Sequence, residues 1–284
     1  MLSGETLANP RSDRVKAVAR LSGRPARLRA GRFLVEGPQS VREALRFRAA
    51  DVVQLYVTEA AAQRYAEIVA AALAADVPVT PVTEAVLAAM AGDDATVNPQ
   101  GLLAVCGLVD VPLDEVLAAR PRLVAVLAQV RDPGNAGTVI RAADAAGADA
   151  VLLTDASVDV HNPKCVRSTA GSLFHLPVVT GVPLPDAVAA LKAADLAVLA
   201  ADGAGRTDLD DLLDEAETAR TTGAPALLRG PVAWVFGNEA WGLPPADRAL
   251  ADQVVRVPVH GHAESLNLGT AATVCLYASA RAHR

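Results

Sequence analysis

The chain has 284 residues, 52% of them apolar but only 3% aromatic, and a net charge of −6. It is long enough for one large domain or two ordinary ones, each with a real core. With no apolar run near the roughly 18–20 residues of a membrane helix, no apolar signal core at its start, and Cys106, Cys165 and Cys275 far apart, it reads as a cytoplasmic protein with reduced thiols, neither membrane-bound nor built on disulfides or zinc.

The charge is uneven along the chain. Residues 1–48 hold eleven Lys/Arg against four acids, a balance of +7, and the remainder carries −13. A basic end on an acidic chain suits nucleic-acid phosphates as much as it suits a solvated charged face. Residues 1–10 read as a disordered start. Val15, Val18 and Leu21 recur at helical spacing, with Arg14, Lys16 and Arg20 on other faces. Arg24, Arg27, Arg29 and Arg32 read as a turn leading into a short strand, Phe33–Val35, and guanidinium forks so placed can grip phosphates. Pro38 suits the start of a helix running to Arg48. Strand Val52–Val57, helix Ala60–Ala75, strand Val77–Val82, helix Glu84–Ala91 and strand Leu102–Leu108 complete a small α/β domain over residues 1–109.

Residues 110–122 read as a linker with a short helix, and residues 123–284 as a second domain. Leu123–Val130 is nearly all apolar, as expected of a parallel strand buried on both faces. After the turn Arg131-Asp132-Pro133-Gly134, Asn135 is placed as an N-cap for a helix that ends at Gly147. Strands follow at Ala150–Thr154, Val178–Thr180, Leu196–Ala201, Val232–Phe236 and Val254–Val257, and a last helix runs from about Asn267 to Arg281. Alternating strands and helices with short loops mean a mainly parallel sheet covered on both faces.

Several chemistries are excluded. There is no P-loop, and Gly203-Ala204-Gly205 lacks the third glycine of a dinucleotide fingerprint. No Gly-x-Ser-x-Gly elbow is present, and His260 with His262 reads as a surface pair, not a metal site. The remaining polar groups sit at strand-to-loop ends: Asn135, Arg141, Asn238, Glu239, Ser265 and Asn267. Each alone is a cap, a turn residue or a surface partner such as Arg141 with Asp144. Together they suit a site that orients a cofactor and a hydroxyl nucleophile without metal or covalent intermediate.

Three stretches, NAGTVIRAADAAGADAVLL (135–153), WVFGNEAWGL (234–243) and VPVHGHAESLNLGTAATVCLY (257–277), resemble in order and spacing the motifs of the SpoU/TrmH family of the SPOUT class. NPKCVRSTAGSLFHLPV (162–178) also fits, and RVKAVARL, GRFLVEGPQSVREAL and NPQGLLAV (98–105) resemble the family's RNA-substrate-binding domain. The resemblance covers about Arg11 to Ala280. It implies an RNA ribose 2′-O-methyltransferase using S-adenosylmethionine, with rRNA the expected substrate. The alternatives are tRNA, or an RNA-binding or ribosome-assembly factor that keeps the fold without turnover.

The resemblance further implies an α/β trefoil-knot domain that forms homodimers. It places the cofactor on Ala201, Asp202 and Gly203, on Gly237, Asn238 and Glu239, and on Val257, Pro258, Ser265, Leu266 and Asn267. Asn135, Arg141, Glu239, Ser265 and Asn267 would be the catalytic set. Because a free guanidinium is a poor base, Arg141 would hold a phosphate or stabilise a developing alkoxide. RNA would touch Lys164, Arg167, Ser168 and Ser172, together with Arg14, Lys16, Arg27, Arg29 and Arg32 of the basic end. One departure is Ala240-Trp241, where many members carry glycine after the glutamate.

Overall fold

The structure is a computed structural model and describes residues 5–92 and 100–284. The chain forms two compact units, Met1–Val109 with His161–His175, and Asp110–Val160 with Leu176–Arg284.

In the first unit, α1 (Asp13–Ala19) is capped by Ser12, whose hydroxyl accepts from Val15 N. Helix α2 (Arg24–Ala30) replaces the turn expected for the arginine-rich stretch, with Pro25 in its first turn and Gly31 ending it at φ 60°. Arg27 on α2 is 2% exposed, and its Nη1 donates to the carbonyl oxygens of Leu21 and Ser22. It therefore fastens the α1–α2 turn instead of standing on the surface where an RNA contact needs it. Replacing it leaves those carbonyls without their charged donor. Arg27→Ala is expected to lower stability by about 2–3 kcal/mol in urea unfolding, whereas exposed Arg29→Ala should change it by less than about 0.5 kcal/mol.

The unit continues with β1 (Arg32–Glu36), α3 (Pro38–Arg48), β2 (Val52–Val57), α4 (Glu59–Arg64), α5 (Ala66–Ala74), β3 (Val79–Pro81), α6 (Glu84–Ala91) and β4 (Leu102–Gly107). In place of one helix over Ala60–Ala75, α4 and α5 break at Tyr65, which sits at φ −121°, ψ 46°. The strands lie in the order β1-β4-β2-β3, with β4 antiparallel to both neighbours and β3 parallel to β2. Val15 and Val18 of α1 and Val86, Leu87 and Met90 of α6 pack with Leu34, Tyr56, Leu103 and Val105 of the sheet. The start of the chain is ordered earlier than expected: Leu7 N donates to Pro81 O at 2.9 Å, and Leu7 O accepts from Thr83 N at 3.2 Å. Residues 1–4, and Asn98 and Pro99 at the head of NPQGLLAV, lie outside the described residues.

The segment His161–His175 packs with this unit. Phe174 stacks on Phe33 at 6.3 Å, and Arg167 Nη1 pairs with Glu36 Oε2 at 3.1 Å. Burial pushes the Glu36 carboxyl above the ordinary glutamate range, and Arg167 pulls partly against it.

The second unit runs α7 (Leu113–Ala118), β5 (Leu123–Leu127), α8 (Pro133–Ala146) and β6 (Ala150–Thr154). After α9 (Pro163–Thr169), which belongs with the first unit, come β7 (Val178–Val182), α10 (Leu184–Ala193), β8 (Ala197–Ala201) and β9 (Thr207–Asp208). Helix α11 (Leu209–Thr222), β10 (Val232–Phe236), α12 (Pro245–Arg248), β11 (Gln253–Arg256) and α13 (Leu268–Ala282) follow. The α/β class with a mainly parallel sheet is as expected: seven strands in the order β7-β6-β5-β10-β8-β11-β9 pair in parallel throughout. The two-residue β9 is an addition the sequence pattern did not indicate.

One face of this sheet, with Val124, Val126, Leu152, Val198, Ala200 and Val235, packs on Val116 of α7 and Leu184, Val188 and Leu191 of α10. Alternation sends Trp234 to the opposite face, where it is fully buried. Its indole N–H donates to Ser279 Oγ of α13 at 2.8 Å, so the buried donor is satisfied. Helix α13 also lies close along α8; a Cβ at Gly269 would stand 2.6 Å from Thr138 Cγ2. No helix among the described residues is long and apolar enough to cross a membrane.

Candidate functional site

Strands β10, β8 and β11 are neighbours in the sheet although their sequences are far apart. Register places Phe236 beside Ala201 and Ala201 beside Val255, so the carboxyl ends of all three strands finish at one level. In parallel α/β sheets ligands bind at such ends. Here they open into a cavity of about 920 Å³, a size that suits a nucleoside-bearing small molecule. It is lined by Ala201, Asp202 and Gly203 after β8, by Phe236 to Leu243 after β10, and by Val257 and Val259 after β11. Glu264, Ser265, Leu266 and Asn267 complete the wall with Leu268 and Ala271 of α13. Of the residues expected to hold a cofactor, only Pro258 is not part of this lining.

The loop after β10 is a tight turn. Asn238 N donates to Gly242 O at 3.1 Å and Gly242 N returns to Asn238 O at 2.9 Å, with Gly242 at φ 65°. Buried Asn238 donates from Nδ2 to Gln129 O at 2.7 Å and accepts from Ala240 N at 2.9 Å. The carbonyl it meets belongs to a residue in the left-handed region, Gln129 at φ 56°.

Helix α8 is capped by Asp132, whose carboxylate accepts from Asn135 N at 2.8 Å, with Pro133 in the first turn. Asn135 is therefore not the cap. It sits one turn in, and its side chain is released for other work. Its Nδ2 donates to Glu239 Oε1 at 3.2 Å, and its Oδ1 accepts from Asn267 Nδ2 at 3.0 Å. Asn267 itself caps α13, its Oδ1 accepting from Gly269 N at 2.9 Å. Glu239 Oε1 also accepts from Asp132 N at 3.3 Å. These contacts fix both amide orientations, because Asn267 Oδ1 is already committed to a backbone N–H. The three stretches that carry the expected site residues are thus laced together at one edge of the cavity.

Arg141 and Ser265 stand apart from this lacing. Both are exposed. Arg141 lies six residues beyond Asn135 on α8, roughly 120° away around the helix, and makes no side-chain hydrogen bond or ion pair among the described residues. Two cavity features had no sequence signal: the ion pair of Arg248 Nη1 with Asp202 Oδ1 at 3.1 Å, and the guanidinium of Arg131 over the Trp241 ring at 5.1 Å from its centroid.

In the first unit, Arg14 stacks on Tyr56 at 5.3 Å and donates to Tyr56 Oη, Gln54 Oε1 and Thr80 Oγ1. Lys16, Arg29, Arg32 and Lys164 are exposed, Arg167 and Ser168 half-buried, and Ser172 buried. The three thiols are buried and none is in a disulfide; burial pushes Cys275 up to about 12 and Cys106 higher still, so neither of these two is a nucleophile at neutral pH. No group of three or more His, Cys, Asp or Glu side chains able to hold a metal is present among the described residues.

A cavity across three parallel strand ends, ringed by backbone groups and closed by a helix cap, defines a ligand-binding α/β domain joined to a smaller mixed-sheet unit. The chain matches the SpoU rRNA Methylase family over residues 122–277 and an MRM3-like substrate binding domain over residues 12–104. It belongs to the SpoU rRNA Methylase family. It is 38% identical over 185 residues to the 23S rRNA (guanosine(2553)-2′-O)-methyltransferase RlmP of Bacillus subtilis, a match covering 64% of this chain and 65%, just under two thirds, of that protein. It is 30% identical over 254 residues to the 23S rRNA (guanosine-2′-O-)-methyltransferase RlmB of Ralstonia nicotianae, covering 87% and 95%. The crystal structure of an AdoMet-bound rRNA methyltransferase from Sinorhizobium meliloti superposes with a TM-score of 0.79 at 28% identity, covering 98% of this chain and 97% of that one.

Proposed function

We propose that this chain is an S-adenosylmethionine-dependent methyltransferase acting on a ribose 2′-hydroxyl of rRNA. The observation that carries the reading is the hydrogen-bonded line Glu239–Asn135–Asn267, which ties the three family motifs together at the cavity edge. The residues fit the cofactor: the cavity is of nucleoside size, and after Gly237 it is walled so closely by the Gly242–Leu243 backbone that no Cβ has room there. When bound, S-adenosylmethionine supplies an electrophilic methyl group on a sulfonium.

The chain's own contribution is alignment and charge. Glu239 holds Asn135, and Asn135 with Asn267 presents fixed amide dipoles beside the cavity, so no reorganisation is needed when the ribose arrives. Arg141, without a side-chain hydrogen bond or ion pair among the described residues, keeps its guanidinium available for a substrate phosphate or for the oxygen that loses its proton. Ser265 adds a hydroxyl to the cavity lining, two residues before Asn267. Exposed Arg14, Lys16, Arg29, Arg32 and Lys164 would meet RNA phosphates, with Arg167 and Ser168 beside Lys164. In the same reading the chain acts in the cytoplasm, its C-terminal segment is threaded as the family's trefoil knot, and two copies pair through this unit. Exposed Val274 and Tyr277, one turn apart on α13, support that pairing.

The test uses rRNA from cells lacking the protein, incubated with the purified chain and methyl-labelled S-adenosylmethionine. The expected result is label at one nucleotide whose 3′ bond becomes resistant to alkali. Label recovered on a base would sink the reading. RNA affinity should also fall between about 50 and 200 mM salt, with a slope near −0.7 per phosphate contacted on unpaired RNA.

A further inference from the structure

Trp241 is held at the cavity mouth in an unusual way for so large an apolar side chain. Its ring is 49% exposed although it lines the cavity. The reciprocal Asn238–Gly242 hydrogen bonds and the left-handed Gly242 turn it outward. The guanidinium of Arg131 lies 5.1 Å from its ring centroid, and the backbone N–H of Arg131 donates to Glu239 Oε2 at 3.5 Å. The ring is thus held from the strand β5 side with a cation over one face.

An exposed aromatic plane with a cation over one face and the other face open, at the entrance to a site reached by a nucleotide, has the chemistry of a base-stacking platform. Proteins read unpaired RNA by stacking splayed bases on aromatic rings and guanidinium planes. We infer that Trp241, braced by Arg131, is the stacking platform for an unpaired nucleobase of the RNA substrate, at or next to the nucleotide whose ribose enters the cavity. The inference rests on the methyltransferase reading above. It makes Trp241 a positioning residue: the ring orients the ribose and takes no part in proton or methyl movement. The positive charge of Arg131 favours RNA over an apolar partner, since a phosphate accompanies every base.

The chain has two tryptophans and Trp234 is fully buried, so emission from the exposed indole reports on Trp241. Titrating the full-length protein with rRNA from cells lacking it should quench that component, and Trp241→Phe should abolish the quench. In methyl transfer, Trp241→Ala should raise the KM for this rRNA by roughly five- to a hundredfold, well beyond any change in the calorimetric Kd for S-adenosylmethionine, and leave the sedimentation coefficient unchanged. Trp241→Phe should recover most of the loss, as a stacking role requires. The inference is overturned by an unchanged KM and unquenched emission, by a loss that follows cofactor affinity, or by a variant that changes oligomeric state, which would make the ring a contact between copies. If the wild-type chain transfers no methyl group, the functional reading fails first, while the emission titration still decides whether Trp241 meets RNA.

Discussion

Arg141→Ala is expected to lower kcat/KM for methyl transfer by on the order of 10²–10³-fold while the protein stays folded and binds S-adenosylmethionine as before. The magnitude is that of removing one preorganised donor from a developing negative charge. The selectivity follows from where the residue stands. Its side chain is exposed and makes no hydrogen bond or ion pair among the described residues, and alanine is the best helix former, so stability should move by less than about 0.5 kcal/mol. Cofactor affinity should hold because Arg141 is absent from the cavity lining. Arg141→Lys should recover only part of the activity, since a point charge cannot reproduce a planar fork. Single-turnover kinetics with calorimetry of the cofactor check all three statements. Full activity in the alanine variant would remove Arg141 from the mechanism.

The second large effect is expected at Gly237. A Cβ there would lie 2.4 Å from the carbonyl carbon and 2.6 Å from the oxygen of Gly242, and 2.7 Å from Leu243 N. All three are backbone atoms, so no rotamer change relieves the contact. The turn cannot widen without breaking the reciprocal Asn238–Gly242 hydrogen bonds that shape the cavity wall. Gly237→Ala should therefore cost about 1–3 kcal/mol in overpacking and weaken cofactor binding by at least about tenfold. Gly203→Ala is the control: it lines the same cavity, yet nothing stands within 4 Å of its added Cβ. Thermal melts and calorimetry on the pair separate a steric effect of the turn from a general intolerance of substitution. Equal behaviour of the two variants would refute the steric account.

Strands β2, β6 and β10 were readable residue for residue because short apolar runs bounded by turn residues leave little choice. What the sequence could not reveal was their adjacency: β8 lies between β10 and β11 through long-range pairing that no local pattern encodes. The cap of α8 is Asp132, one turn before the asparagine that the local pattern favours. Asp132-Pro133 was the available signal, an N-cap acid followed by a residue with no N–H to leave unpaired. That difference matters chemically, since an asparagine occupied in capping could not have bridged Glu239 and Asn267. The arginines of α2 show the opposite error. Their charge suggested surface contact, but Arg27 is spent on two carbonyls inside the fold, a partnership that depends on how the chain doubles back. Ala240-Trp241 stands out in the sequence as a departure from the family pattern, whereas the exposure of Trp241 and its pairing with Arg131 depend on tertiary structure.

Asn135 and Asn267 are 132 residues apart in the chain, and Glu239 is 104 residues from Asn135. During synthesis the first of these is complete long before its partners exist, so β5 and α8 must wait, folded or loosely held, for the strands and cap that finish the cavity. Contacts of such separation close slowly, because loop entropy is lost before the contact can compensate. Catalytic competence is then among the last properties the nascent chain acquires. On the methyltransferase reading, a young chain would present its basic first 48 residues to RNA while still unable to act on it, so that binding and catalysis would arise at different moments in the life of the same molecule.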